Sequence, residues 1–358
     1  MIEEGALQSE TLTQLSLRLE ITDSYLRQLF HSHIGMSPKQ YAQYYQLMFA
    51  KQLLHSSTIS ITEVAFASGF NSVRRFNDAF QKYLHLTPSQ IRKRPKNSRA
   101  KNILLLNFQG PLNWQKMLAY YRLRAIKNLE VVDQSCYERY FEINATQGWF
   151  KAQCEDKRLR VEFEMEDVRQ LWQLVLNLRR MFDLDTDIQH IEKHLSDLQP
   201  GFIRNHGIRI PGTWDIWEAG IRAILGQQVS IKAAVAQVNR LVETLSQGTV
   251  AKFPPPAQVA TADLNFLGMP QSRKQTLKHF AQFCLQKPCA DPTQWLDIKG
   301  IGRWTVDYAR MRGHAHADSF LATDLVVRKT CEKFSGLGRD SISPWGSYAT
   351  FHCWDHQS

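Results

Sequence analysis

The sequence predicts a mainly α, multidomain fold: a tandem helix-turn-helix domain, a small α+β domain with an antiparallel sheet, and an all-α domain built around a helix-hairpin-helix. Three observations predict it. Phe30-His-Ser-His-Ile-Gly-Met-Ser-Pro38 lines up with Phe80-Gln-Lys-Tyr-Leu-His-Leu-Thr-Pro88, fifty positions later. Short aromatic and branched runs follow between residues 103 and 165, several alternating in polarity. From Trp214 onward the apolar spacing is helical, broken by Phe253-Pro-Pro-Pro256 and by glycine-containing turns.

The repeat covers residues 1–95. In its second copy Ile61, Val64 and Ala65 have helical spacing, and Ser60 with Glu63 reads as a capping box. Ser68-Gly69 is the turn, since Gly accepts the positive φ of a tight corner. A second helix from about Ser72 to Tyr83 buries Val73, Phe76 and Phe80. The first copy has Leu15, Leu17 and Leu19, a break near Ile21-Thr22, and a helix with Tyr25, Leu26, Leu29 and Phe30. A long helix from Pro38 to Leu54 joins the copies. Two such units can each place a helix in a major groove. A single helix pair of this kind also occurs as a plain packing unit, and the repeat makes coincidence much less frequent. The segment resembles the AraC-type DNA-binding domain over residues 8 to 95. That resemblance implies DNA contact through Ser24, Arg27 and Gln28, then Ser72, Arg74 and Arg75.

Arg92 to Lys101 is basic, poor in apolar residues, and reads as a tether, with 96–102 taken as the linker. The α+β domain is placed at 103–204. Strands are expected at 103–108, 137–143, 149–154 and 159–165, with helices at about Trp114 to Ala125 and Val168 to Phe182. The all-α domain is placed at 205–358.

Bulk properties fit a polyanion-binding protein. Lys and Arg number 44 against 34 Asp and Glu, a formal charge of +10, which favours nucleic acid as a partner. No stretch is apolar enough to span a bilayer and no leader pattern opens the chain, so a cytoplasmic location and no membrane partner are expected. Cys136, Cys154, Cys284, Cys289, Cys331 and Cys353 are scattered, without zinc or iron–sulfur spacing. They are expected to be free, mostly buried thiols, with no metal held by cysteine.

The chemistry concentrates in Leu296-Asp-Ile-Lys-Gly300-Ile-Gly302-Arg-Trp304-Thr-Val-Asp-Tyr308, followed by Asp318-Ser-Phe-Leu-Ala-Thr-Asp324-Leu-Val-Val-Arg-Lys329. A helix ending near Leu296, a Gly-Ile-Gly turn and a helix starting at Arg303 would offer free N–H groups and a positive dipole end to a phosphate. A lone Gly-x-Gly would read better as an ordinary helix end. Asp324 on its own would read as the N-cap of the following helix.

The two stretches together resemble the helix-hairpin-helix DNA glycosylases, and most closely the DNA-3-methyladenine glycosylase II family, the AlkA type. The similarity includes Ile221-Arg-Ala-Ile-Leu-Gly-Gln-Gln-Val-Ser230, Leu267-Gly-Met-Pro270 and Pro344-Trp345, and spans about residues 103 to 358. It implies that Asp324 is the catalytic carboxylate, stabilising oxocarbenium charge as an N-glycosidic bond breaks and orienting water. It implies an aromatic base pocket of Tyr120, Trp304, Tyr308 and Trp354, favouring a flipped, cationic alkylated base by cation–π attraction. DNA contact is implied for Lys299, Gly300, Gly302, Arg303, Gln227 and Gln228. The chain departs from the AlkA pattern at Gln228, where the family has an apolar wedge, and at Thr323, where it has a second acidic residue. Asp318 matches a family Asp of structural role. Trp304 stands where bifunctional relatives carry the Schiff-base lysine, so base release without strand cleavage is expected.

The expected reaction hydrolyses alkylated bases such as 3-methyladenine and 7-methylguanine from double-stranded DNA in base excision repair, with no required cofactor. A monovalent cation at the Lys299–Gly302 hairpin is compatible with that arrangement. A monomer is expected, with promoter DNA an open second partner of the N-terminal domain. AraC-like modules accompany glycosylase domains in fusions resembling the Ada regulator. This sequence has no zinc-type cysteine cluster and no Pro-Cys-His-Arg motif, so methyl transfer from O6-alkylguanine is not expected. Three readings stay open: a repair enzyme loaded by its front module, a regulator with an active glycosylase, and a transcription regulator of the alkylation response whose glycosylase-like half only binds DNA.

Overall fold

A computed structural model describes the chain except for residues 4, 93–101, 247–251, 289, 335 and 357–358. The described chain forms two compact units, Met1–Leu106 with Glu142–Phe150 and Arg160–Leu176, and Asn107–Phe141 with Lys151–Leu159 and Asn177–Ser358. The expected linker lies outside the described residues, save Asn102, which opens a strand instead. Cys289 also lies outside them.

The first unit begins with helices α1 (Ala6–Ser9), α2 (Leu12–Arg18), α3 (Asp23–Ile34), α4 (Pro38–Ser56), α5 (Ile61–Ala67), α6 (Val73–Leu84) and α7 (Pro88–Ile91). The repeat is visible in the caps. Ser37 and Thr87 each accept a hydrogen bond from the amide three residues on, and Gln40 and Gln90 return one, so both copies end in the same capping box. Ser60 and Glu63 form the box the sequence predicts, and Gly69 takes φ 81° in the turn. Leu47, Ala50, Leu53, Val64, Phe76 and Phe80 fill the core. In α2 only Leu15 of the three leucines is buried; Leu17 is exposed, because residues two apart cannot share one face of a seven-residue helix.

Five strands, β1 (Asn102–Asn107), β2 (Glu130–Val132), β3 (Cys136–Ile143), β4 (Thr146–Glu155) and β5 (Arg158–Met165), form one sheet in the order β1-β5-β4-β3-β2. β2 is antiparallel to β3, with Glu130 opposite Arg139, and was not foreseen because three residues carry no period. Asn144 and Ala145, both at positive φ, turn β3 into β4 as a tight hairpin. Helix α8 (Trp114–Arg122) is shorter than expected, and a 3-10 turn (Val168–Gln170) precedes α9 (Leu171–Met181).

The rest of the second unit is helical: α10 (Ile188–Leu198), α11 (Ile216–Leu225), α12 (Ile231–Leu245), α13 (Pro256–Thr261), α14 (Gln271–Gln286), α15 (Arg303–His314), α16 (Leu325–Lys333), α17 (Arg339–Ile342) and α18 (Gly346–Asp355). The segment before the hairpin is a 3-10 helix (Pro292–Asp297), not an α-helix. Two apolar cores hold these elements. One joins α11, α12, α14 and the first half of α15 through Ile224, Leu241, Phe280 and Val306. The other joins α10, α16, α17 and α18 through Ile191, Val327, Ile342 and Ala349. The two cores meet along α15, which runs from Val306 in one to Met311 in the other.

Among the described residues no helix is long and apolar enough to cross a membrane, and no group of three His, Cys, Asp or Glu could hold a metal ion. Of the described cysteines, Cys136 and Cys353 are buried, whereas Cys154, Cys284 and Cys331 are only half-buried, less than expected.

Candidate active site

The loop before α16 is fixed to α18 by a row of hydrogen bonds. Asp318 accepts from Ser343 Oγ at 2.7 Å and from the Gly346 amide at 3.1 Å. The Ser319 amide donates to Ser347 Oγ at 3.0 Å and the Leu321 amide to Thr350 Oγ1 at 3.2 Å. Phe320 and Leu321 are buried beneath it. Asp318 thus holds the loop, the structural part expected of it.

This loop delivers Asp324 to the start of α16. Its Oδ1 accepts from the Val326 amide at 3.0 Å, the Val327 amide at 3.3 Å and Trp354 Nε1 at 3.2 Å. Among the described residues none donates to Oδ2. Asp324 is therefore an N-cap that uses one oxygen and leaves the other available.

The four aromatic residues singled out in the sequence come together beside it. Trp304 and Tyr308, one turn apart on α15, stack with centroids 5.2 Å apart and planes at 21°. Tyr120 of α8 faces Trp354 of α18 at 6.3 Å and 19°. Arg312, buried one turn beyond Tyr308, ties the pairs together by donating to Tyr308 Oη at 2.7 Å and Tyr120 Oη at 3.1 Å. Burial pushes the Tyr308 phenol up, but the Arg312 and Arg124 guanidiniums outweigh it and bring it down to about 8. For Tyr120 burial prevails, pushing it up to about 12. Sequence reasoning missed Arg312, Arg124, whose Cζ lies 3.7 Å from the Tyr120 ring centre, and Phe351, edge-on to Tyr120. The spacing of Tyr308 and Arg312 on one helix face was the available signal.

A buried charge network lies under Arg124. Arg139 pairs with Glu130 at 2.7 Å and with Glu218, and Arg222 pairs with Glu218 at 2.8 Å and Glu130 at 3.1 Å. Arg222 also donates to the Arg124 carbonyl at 2.8 Å.

At the hairpin, Ile298 and Ile301 point into the core while Lys299, Gly300, Gly302 and Arg303 are exposed. Gly300 has φ 94°, and a Cβ there would lie 2.2 Å from Thr276 Oγ1, so only Gly fits. Gly302 caps α15, and a Cβ there would meet nothing within 4 Å. Thr276 Oγ1 donates to the Lys299 carbonyl, and Gln227 Nε2 to the Gly300 carbonyl at 3.0 Å and Thr305 Oγ1 at 2.9 Å. Gln227 is thus a brace of the hairpin. Each of those carbonyls keeps a second lone pair. Gln228 is exposed at φ 55°, and the exposed Val229 and Ile231 flank it.

In the first unit Ser24, Arg27, Gln28, Arg74 and Arg75 lie on exposed positions of α3 and α6. Ser72 instead caps α6, accepting from the Arg75 amide at 3.2 Å.

The chain matches three family models in succession: a helix-turn-helix domain over residues 15–94, the AlkA N-terminal domain over 103–215, and the HhH-GPD superfamily base excision DNA repair protein over 221–344. It is 28% identical to a protein of Mycobacterium tuberculosis named probable bifunctional transcriptional activator/DNA repair enzyme AlkA, covering 99% of this chain and 78% of that one. It is 31% identical to DNA-3-methyladenine glycosylase 2 of Escherichia coli over 70% of this chain and 95% of that one. The solved structure of a 3-methyladenine DNA-glycosylase from Archaeoglobus fulgidus shares the fold, with a TM-score of 0.60 at 17% identity, over 70% of this chain and 97% of that one.

Proposed function

The chain belongs to the DNA-3-methyladenine glycosylase 2 family, with a helix-turn-helix domain in front, and from that premise we propose that it releases alkylated bases from duplex DNA through Asp324. The observation that carries the reading is the one-sided bonding of Asp324: Oδ1 is held by two amides and an indole, and Oδ2 is unused beside the aromatic set.

The damaged nucleotide is extruded, which costs on the order of a few kcal/mol, and its base enters among Tyr120, Trp304, Tyr308 and Trp354. As the bond between C1′ and the base nitrogen breaks, its electron pair leaves with the base and positive charge develops on the sugar. The Asp324 carboxylate stabilises that charge. Water then adds to C1′ and loses a proton, leaving an abasic site. The exposed hairpin, with the N-terminus of α15 behind Gly302, takes a backbone phosphate near the lesion. With Trp304 at the start of α15, no amine stands there to form a Schiff base, so the strand stays intact.

Arg27, Arg74 and Arg75 present the helix-turn-helix pair to a second stretch of duplex. A regulatory role predicts one preferred site contacted at two places roughly 34 Å apart, whereas loading alone predicts sequence-indifferent, salt-sensitive binding. Footprinting separates the two.

The test of the catalytic reading is base release from methylated duplex DNA by wild type and Asp324→Asn, with strand cleavage followed in parallel. Release by wild type, none by the variant, and strands intact until alkali is the expected result. A folded, DNA-binding wild type that frees no base would leave the DNA-binding regulator reading in its place.

A further inference from the structure

Two of the arginines around the aromatic set are neutralised by acids and two are not. Arg139 and Arg222 share Glu130 and Glu218. Arg312, 2% exposed, donates only to the Pro211 and Gly212 carbonyls and to the phenols of Tyr120 and Tyr308. Arg124 is half-buried, has its Cζ 3.7 Å from the Tyr120 ring centre, and its guanidinium makes one hydrogen bond, to the Tyr120 carbonyl at 3.3 Å. Among the described residues neither has a carboxylate partner. Among the described residues, Asp324 is the acid that bonds to the aromatic set, at the indole N–H edge of Trp354, whose ring faces Tyr120.

We infer that Arg124 and Arg312 act on the leaving group, setting a positive potential around the base that favours movement of the glycosidic electron pair onto it. The inference rests on the base-excision reading above. Its logic is the same for both charge classes of damaged base. A cationic base becomes neutral as it departs, so repulsion from the two guanidiniums present in the bound state is relieved. An uncharged base becomes anionic, so attraction is gained. Either way the positive field opposes the ground state or supports the transition state, which is the condition for accelerating the chemical step. Asp324 pulls in the opposite sense on the sugar. Charge thus separates between the base and the sugar, and water adding to C1′ completes the reaction.

Two observations support this assignment. The phenol of Tyr308, buried and thereby pushed up, is nevertheless brought down to about 8, Arg312 and Arg124 being the main causes. Both guanidiniums lie against the ring of Tyr120, Arg124 Cζ at 3.7 Å and Arg312 Cζ at 4.8 Å from its centre. In this reading the aromatic set accepts a flat base and the arginines assist its departure.

The test uses the full-length protein with Arg124→Met, Arg124→Gln and Arg124→Lys. The first two remove the charge by different side chains, so a folding failure of one leaves the other. Duplexes contain either 7-methylguanine, which is cationic, or hypoxanthine, which is uncharged. Single-turnover base release and DNA affinity are measured separately, with folding checked by melting temperature. The expected result is a fall of about 10-fold or more in release rate on both duplexes for Met and Gln. This is smaller than the ~10²–10³ for a direct oxyanion donor because the charge is half exposed. Affinity stays within about 2-fold, and Lys restores most of the rate, as a retained charge should. Unchanged rates, a loss confined to affinity, a loss on one base class alone, or failure of Lys to rescue would each overturn the inference. Wild type inactive on both duplexes would instead remove the base-excision reading on which it stands.

Discussion

Trp354 Nε1 donates to Asp324 Oδ1 at 3.2 Å, joining the last long helix of the chain to the carboxylate that caps α16. Three hydrogen bonds converge on that one oxygen, and the carboxylate plane is set by them. Trp354→Phe keeps a ring opposite Tyr120 and deletes the indole donor. A lost hydrogen bond to a charged group is worth about 1.5–3 kcal/mol, so the single-turnover rate should fall by roughly 10- to 100-fold with DNA affinity nearly unchanged. Comparing the rate with a binding curve for the same duplex checks it; an equal loss in both would mean that Trp354 serves base binding instead.

The two hairpin glycines should separate folding from binding. Gly300→Ala forces a Cβ onto Thr276 Oγ1 at a φ of 94°, a strained backbone for any side chain, and should cost about 1–3 kcal/mol of stability. Gly302→Ala meets nothing within 4 Å and should leave the melting temperature unchanged while weakening DNA binding, because the methyl group stands where a phosphate approaches. Thermal melts and salt-dependent titrations with duplex DNA read the two effects independently. A destabilised Gly302→Ala protein would show that this glycine serves internal packing.

What the sequence made legible was local. Ser60 caps onto Glu63 three residues away and Gly300 sits inside its own turn, so spacing exposes them, whereas Trp304 and Tyr308, one turn apart on α15, were assigned to a pocket through family resemblance. Asp324 was legible as an N-cap and, through family resemblance, as a carboxylate with a role. Its hydrogen bond from Trp354 crosses 30 residues, and the Arg312 bond to Tyr120 crosses 192. No period or cap announces such pairs; they exist because α8, α15 and α18 pack together. Helix α10 was missed because His190, Glu192, Lys193 and His194 dilute its apolar stripe of Ile188, Ile191 and Leu195. Glu218 and Arg222, which sequence reading did not single out, are buried against β2 and β3, where strand residues Glu130 and Arg139 supply the matching charges.

His352 sets a dependence of stability on acid. It is buried, neither ring nitrogen has a hydrogen-bond partner among the described residues, and burial brings its imidazole down to about 4. Asp355 nearby opposes that shift, and His356 and His206 add to it. Between the ordinary value of 6.5 and about 4 the unfolded chain binds a proton that the folded chain does not, so stability is lost as pH falls through that window and is level below it. The contribution is on the order of 2–3 kcal/mol. Asp183, pushed up to about 6 by burial, has the opposite sign, because its folded form takes up a proton first. The readout is therefore the difference in melting temperature between wild type and His352→Phe at pH 7 and pH 4. The variant should lose less on acidification; equal losses would exclude His352 as the group responsible.

The network of Glu130, Arg139, Glu218 and Arg222 links stability to the base pocket. Its side chains are all under a tenth exposed, so each charge depends on its partners rather than on water. Glu218→Gln removes one negative charge and leaves Arg139 and Arg222 to share Glu130. Breaking a buried pair in this way typically costs about 3–5 kcal/mol. Arg222 also holds the Arg124 carbonyl at 2.8 Å, and Arg124 covers Tyr120. The variant should therefore unfold at lower denaturant and, where still folded, release bases more slowly. Tyr137→Phe, which removes a 2.6 Å hydrogen bond to Glu130 without touching the charges, provides the comparison. It should cost about 1–2 kcal/mol and leave base release near wild type. If Glu218→Gln lost stability but kept the full release rate, the network would be a support for the fold alone, with Arg124 positioned independently of it.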